Sequence, residues 1–176
     1  VDDRRAWGPV FVRSNSPGAG DWAKTVLGDS DAVVGEQSAL ALGFPSPANA
    51  GVEEALTGAM QSMDPSTRAA AAGAAVRRGA MSLGNPVGTL LANGDDRATE
   101  AVLLALRETG QTGWDAATKL GMESPVPTTR ELAVDASVAT CDPGRRDQMF
   151  ALLSDDDPHV AVRAASALYL LIGGEE

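Results

Sequence analysis

The chain has 176 residues, of which 44% are hydrophobic and only 4% aromatic, and it carries a formal net charge of −10. With only two lysines, Lys24 and Lys119, that balance opposes the basic face that nucleic-acid binding requires. A single cysteine, Cys141, excludes an intramolecular disulfide framework, and a single histidine, His159, disfavours a metal site built from several His ligands. No run approaches the roughly 20 apolar residues of a membrane helix, and no signal peptide is visible. A cytoplasmic chain without cofactor, metal, membrane or nucleic-acid partner is expected. Because it begins at Val1, a fragment or processed product is also expected.

The N-terminal segment, residues 1–17, contains Asp3-Arg4-Arg5-Ala6, which echoes Asp96-Arg97-Ala98. Residues 3–12 read either as the second helix of an earlier repeat, kinked or ended by Pro9, or as an irregular arm. In the first case the face around Trp7, Val10 and Phe11 is expected to be apolar. Residues 14–20 read as a loop by their Ser, Pro and Gly content. From there the chain alternates short helices: 21–27 and 32–42, 52–60 and 66–78, 85–91 and 97–109, 114–120 and 128–140, 145–153 and 159–172. PSPANA is a Pro-rich connector, Asn93-Gly94 a turn, and GGEE a polar tail.

These pairs are copies of one unit. The last copy reads LLSDDDPHVAVRAASAL, and Pro158 of its Asp-Pro step serves as origin. Equivalent origins are Pro127, Asp96, Pro65 and Ala32, spaced 31, 31, 31 and 33 residues apart. A fixed period in this range marks stacked repeats. The residue before the origin is Asp31, Asp64, Asp95, Val126 or Asp157; Asp is a helix-capping type, and Pro suits the first helical position. Ser124 or Thr128 is expected to substitute for the cap missing at Val126. Offsets +2, +6 and +10 give Val34, Ser38, Leu42; Thr67, Ala71, Ala75; Ala98, Val102, Leu106; Thr129, Ala133, Ser137; and Val160, Ala164, Leu168. These fall on one helical face and are the expected core. Offset −5 gives Leu27, Met60, Leu91, Met122 and Leu153, on a second helix. Each repeat is therefore a helical hairpin, too small to bury its apolar face without neighbours.

The pattern Leu-Leu-x-x-x-Asp-Pro-x-Val followed by Ala-Ala-x-Ala-Leu resembles HEAT-like repeats, in particular the short repeats of the phycobilisome-lyase type. The resemblance covers residues 18–173, so residues 18–176 are expected to be one HEAT-like repeat domain. It implies an all-α fold: a right-handed α-α superhelix of about five hairpins whose second helices line the inner, concave face. It also implies a scaffold that binds a protein partner or, alternatively, an accessory component of a lyase-type modifying enzyme like the bilin lyases. The family carries Arg three residues after the origin. Here that place holds Gly35, Arg68, Thr99, Arg130 and Ala161, so a broken Asp–Arg ladder is expected.

Candidate chemistry is sparse. His159 lies beside Asp155, Asp156 and Asp157, but on the first turn of a helix, where acids favour the helix N-terminus without a metal. Cys141 lacks a sequence-adjacent base. No phosphate-binding glycine loop occurs. Trp22 and Trp114 fall in expected first helices and read as packing between repeats or as interface residues.

The remaining candidate is a surface. With +2, +6 and +10 buried, offsets +1, +4, +5, +8 and +12 form the expected exposed stripe. The chosen residues are Glu36, Gln37, Leu40, Gly73, Arg77, Arg97, Glu100, Leu104, Glu108, Glu131, Asp135, His159, Val162, Arg163 and Ser166. Leu40 and Leu104 are the expected apolar anchors, across low ground at Gly73. Charges around an apolar centre suit a protein interface better than a catalytic pocket.

Overall fold

The computed structural model describes residues 2–12, 18–44 and 51–172. Among them there is no strand. Eleven α-helices follow in order: α1 (Asp2–Val12), α2 (Ala19–Leu27), α3 (Ala32–Leu42), α4 (Val52–Ala59), α5 (Pro65–Arg77), α6 (Gly84–Ala92), α7 (Asp96–Thr109), α8 (Asp115–Met122), α9 (Pro127–Ala139), α10 (Arg146–Leu152) and α11 (Pro158–Ile172). Every expected helix is present, with ends within two residues of the sequence reading. Most of the expected 14–20 loop, the PSPANA connector and the GGEE tail lie outside the described residues; Ala19 and Gly20 already belong to α2. Trp114 stands just before α8 rather than inside it.

The chain divides into two compact units, Val1–Val102 and Leu103–Glu176, with the division falling inside α7. In the first unit α1 packs on α3 and α3 on α5, while α2 packs on α4. In the second, α8 packs on α9, α9 on α11, and α10 on α11. All fifteen residues at offsets +2, +6 and +10 are buried. At offset −5, Leu27, Met60, Leu91 and Met122 are buried and Leu153 is 42% exposed.

Small side chains set how closely helices approach. Residues 69–76, the Ala-rich run of α5, are all buried. A Cβ on Gly8 of α1 would stand 3.1 Å from Ser38 Oγ and 3.7 Å from Val34. That contact, with Gly8 and Val12 buried, fixes the register of α1. Its repeat frame starts at Asp2, so Gly8 is the +6 and Val12 the +10 residue. The alignment of Asp3 with Asp96 was one residue late. A residue-type echo of two charges carries less register information than the small residue the packing demands.

Helix starts follow the capping logic. Asp31 Oδ1 accepts from the Val33 N–H (3.1 Å), Asp64 Oδ2 from Thr67 (2.6 Å), Asp95 Oδ1 from Ala98 (3.1 Å) and Asp157 Oδ1 from His159 (2.8 Å). Each carboxylate satisfies an otherwise unpaired first-turn donor. α9 starts at Val126 without a side-chain cap. Ser124 does not replace it. Ser124 Oγ accepts from the Val126 N–H at 3.2 Å, and every other −3 residue with such a bond does the same: Asp29 from Asp31, Ser62 from Asp64, Asp155 from Asp157. Offset −3 is thus a second device of the repeat, a side-chain acceptor that shapes the turn before α3, α5, α9 and α11; before α7 the Asp95 N–H bonds to the Leu90 carbonyl instead. Its sequence signal is the series Asp29, Ser62, Ser124, Asp155.

The Arg ladder is broken but regular. Arg68 Nε donates to Asp95 Oδ2 at 3.0 Å, and Arg130 grips Asp155 through Nε and Nη2 at 2.8 and 2.7 Å. α1 adds an unforeseen rung: Arg5 Nε to Asp31 Oδ2 at 2.9 Å and Arg4 Nη1 to Asp29 Oδ2 at 2.6 Å. Rungs occur in alternate repeats, where Arg is present, and skip those with Gly35 and Thr99. Arg68 and Arg130 also donate to the Ser62 and Ser124 carbonyls, tying the turn to the helix that follows it. Arg4 and Arg5 are nearly half exposed, so their pairs add little stability. The Arg130–Asp155 side chains are 14% and 8% exposed, the most enclosed of the three rungs.

Cys141 follows the C-terminus of α9 with φ +50°, the only non-glycine residue with positive φ among those described. Its N–H donates to the Val138 carbonyl and the Asp142 N–H to Ser137, which makes Cys141 the left-handed residue of a Schellman cap. The same repeat position, +14, holds Gly79 and Gly110, both at φ +64°. Cysteine bears a Cβ penalty there that glycine avoids. Cys141→Gly is therefore expected to stabilise the second unit by about 1 kcal/mol, read as a higher urea midpoint. An unchanged or lower midpoint would show that the cysteine side chain compensates by contacts of its own.

Candidate functional site

The stripe offsets place side chains on the face of each second helix opposite the core, so accessibility follows from helical geometry. In the first unit Gln37, Leu40, Arg97 and Glu100 are exposed, and Glu36 and Arg77 half-buried. Leu40 is 39% exposed. Gly73 is a correction. It is buried, and a Cβ on it would stand 3.0 Å from the Ala101 carbonyl oxygen. Ala69 and Ala70, at +4 and +5 of the same helix, are buried too. The stripe is closed over at α5 because its residues are too small to reach out past their neighbours.

In the second unit Glu108, His159, Val162, Arg163 and Ser166 are exposed, while Leu104, Glu131 and Asp135 are half-buried. Val162 is the most accessible apolar member at 67%. Arg163 lies 3.7 Å from Glu131 and 3.5 Å from Asp135, bridging α11 to α9. Asp135, Arg163 and Ser166 also line one cavity of about 210 Å³ with Val138, Ala139, Ala167 and Leu170. The two expected anchors belong to different units, Leu40 to the first and Leu104 to the second.

The sequence reading placed Trp7 and Val10 on an apolar N-terminal face but not on this stripe, and it missed Phe44. Once α1 is framed from Asp2, Trp7 and Val10 occupy +5 and +8, and each is 55% exposed. Phe44, 51% exposed, sits at +12 of the next repeat, one position past Gly43, the C-cap of α3. The frame itself was the signal that could have found them.

The charged groups are held in structural pairs. Arg130 holds the Asp155 carboxyl below its usual range, and the Asp155 carboxylate raises Arg130. The hydrogen bond from Arg5, helped by the Val33 N–H, lowers Asp31. For Asp64, burial pushes the pKa up, but bonds from the Thr67 N–H and hydroxyl outweigh it and the net shift is downward. Of the acidic triplet, Asp155 and Asp157 are thus committed to a rung and a cap. Among the described residues no group of three or more His, Cys, Asp or Glu side chains is arranged to hold a metal ion. No helix there is long and apolar enough to cross a membrane.

A separate cavity of about 280 Å³ in the second unit is lined by Leu106, residues 111–115, Thr118 and residues 140–142. Trp114, 6% exposed, forms part of its wall, and its indole N–H has no hydrogen-bond partner. Trp22, by contrast, is 36% exposed on α2. No stripe residue lines this cavity. No family model matches the chain, and no curated protein matches it either.

Proposed function

We propose that the chain is a HEAT-like protein-interaction module: a right-handed solenoid whose second helices line a concave face that binds another protein. The observation that supports this most is the regularity of the repeat. The same offsets are buried in all five copies, and the intervening ones are largely accessible in both units, with Leu40 and Val162 exposed among charges. Side chains set on rigid helices, at fixed spacing, form an extended surface at low entropic cost on binding. The mixture of apolar and charged groups is that of a protein interface.

The test uses the half-buried Leu104. Leu104→Glu is expected to abolish capture of the protein's partner from lysate of its source cells while leaving the far-ultraviolet circular dichroism unchanged. A glutamate there places a charge in a contact that excludes water, which costs a binding hot spot on the order of 2 kcal/mol or more. Capture at the wild-type level by a folded Leu104→Glu chain would sink this reading of the stripe.

A further inference from the structure

The hairpin of α10 and α11 leaves open a face that the preceding repeats bury. Offset +3 of a second helix meets the second helix that follows. Gly35 of α3 stands against Thr67 of α5, and Arg130 of α9 reaches Asp155 in the turn before α11. Offset +11 faces the same way, since Gly43 lies against Ala74 of α5. Between them, at +7, Ala39, Ala72, Leu103 and Val134 are all buried. On first helices the facing offsets are −8 and −5: Lys24 of α2 pairs with Glu54 of α4, and Leu27 lines the groove between those helices. In α10 and α11 these offsets hold Phe150, Leu153, Ala161, Ala165 and Tyr169. Tyr169 is 77% and Phe150 51% exposed, Ala165 is exposed and Ala161 half-buried. A repeat face left open to water is expected to be polar, so two aromatic rings in this place mark a face that is covered. We infer that it is a dimer interface, covered by the same face of a second copy of this chain.

Shape, charge and area select that occupant. A two-fold axis set across α11 at Ala165 brings two copies of the helix together antiparallel. Ala165 then meets its own counterpart, and Tyr169 lies over Ala161 of the other copy, each one turn from the axis. A large side chain thus falls on a small one, and the small residue at the axis permits close approach. The same operation sets α10 over its counterpart, which covers Phe150 and Leu153 as well. A copy added head to tail covers less. It offers α1, before which the described residues hold no first helix to lie over α10. None of the five residues is acidic or basic, whereas the preceding repeats place Lys24 and Lys119 at −8 and Arg68 and Arg130 at +3. The nearby bases turn away: Arg163 bridges back to Glu131 and Asp135, and Arg146 donates to the Leu171 carbonyl. Such a face gives a charged partner nothing to pair with, and it keeps the net −10 of each copy outside the contact. Its size limits affinity. Aromatic side chains bury about 150–250 Å² each, so five residues fall short of the roughly 800 Å² per partner of a standard interface. The dimer is therefore weak, with Kd on the order of 10–100 μM.

This interface uses no residue of the accessible stripe, so it and the partner-binding reading can fail separately. The test is sedimentation velocity of the full chain from about 1 μM to 1 mM. A reversible monomer–dimer equilibrium is expected, with Kd raised at least tenfold by Ala165→Glu, which sets two like charges against each other at the axis. If that variant unfolds, Tyr169→Ser is expected to weaken the dimer several-fold in a folded chain, checked by circular dichroism. Leu40→Ser, on the first unit, is expected to leave Kd unchanged. In a Cys141→Gly background, Ala165→Cys is expected to give a disulfide-linked dimer on mild oxidation with copper–phenanthroline, and Leu40→Cys only monomer. A monomer throughout the concentration range would overturn the proposal. So would assembly that continues past the dimer, as head-to-tail stacking gives, a dimer indifferent to the folded face variants, or cross-linking by Leu40→Cys as readily as by Ala165→Cys.

Discussion

Asp155→Ala is expected to destabilise the second unit by about 2–3 kcal/mol, the largest effect of any single ionic substitution in the chain. The carboxylate accepts two guanidinium bonds from Arg130 and the backbone N–H of Asp157. Removing it leaves Arg130 enclosed, held only by the Ser124 carbonyl. Of α3, α5, α7, α9 and α11, only α9 lacks an Asp cap, and the same Arg steadies its start, so the loss falls where the repeat is already weakest. A double-mutant cycle with Arg130→Ala in urea unfolding should return a coupling of about 1–2 kcal/mol. The effect also has a pH signature. The Asp155 pKa is lowered in the folded chain, so the rung's contribution is fully present above the unfolded value near 3.9 and lost as pH falls through the folded value. Stability should therefore decline below about pH 4 and decline less steeply in Asp155→Asn. Some slope should remain, because Asp31 and Asp64 are lowered as well. A coupling near zero, or identical slopes, would show the pair to be too solvated to matter.

Gly35→Arg is expected to destabilise the first unit by about 2–3 kcal/mol, although it restores the arginine that the repeat pattern calls for. A Cβ at position 35 would stand 2.8 Å from Thr67 Oγ1 and 3.3 Å from its methyl carbon, with the Leu27 carbonyl at 3.5 Å. Thr67 is 2% exposed, and its side chain cannot rotate away without giving up the hydroxyl's bond to Asp64, the cap of α5. The arginine stem would have to overpack this contact before its guanidinium could reach a carboxylate. Gly35→Ala should be destabilising too, by about 1 kcal/mol, because it shares the Cβ clash without the buried charge. A urea midpoint for Gly35→Arg at or above the wild-type value would mean that the helices separate readily enough to admit the missing rung.

What the amino-acid sequence determined by itself is what depends on local chemistry. Helix ends, the 31-residue period and the buried offsets were legible because capping carboxylates, Asp-Pro steps and 3.6-residue periodicity act within one or two turns. Asp31, Asp64, Asp95 and Asp157 cap because of what lies two or three residues ahead of them, and no distant contact is needed. The tertiary structure decided whatever depends on how closely neighbours approach. The frame of α1 was set by Gly8 meeting Ser38, not by its charges. The closing of the stripe at Ala69, Ala70 and Gly73 came from small side chains lying below the reach of the residues around them. The choice of Asp155 rather than Asp157 by Arg130, against Asp95 by Arg68, depends on the geometry of each turn. The left-handed backbone at Cys141 reflects the common cap geometry of the repeat rather than the preference of cysteine. In every case but Cys141, whose cap bonds are local, packing against a residue some 25–35 positions away selects one of several outcomes that the residue's own propensity permits.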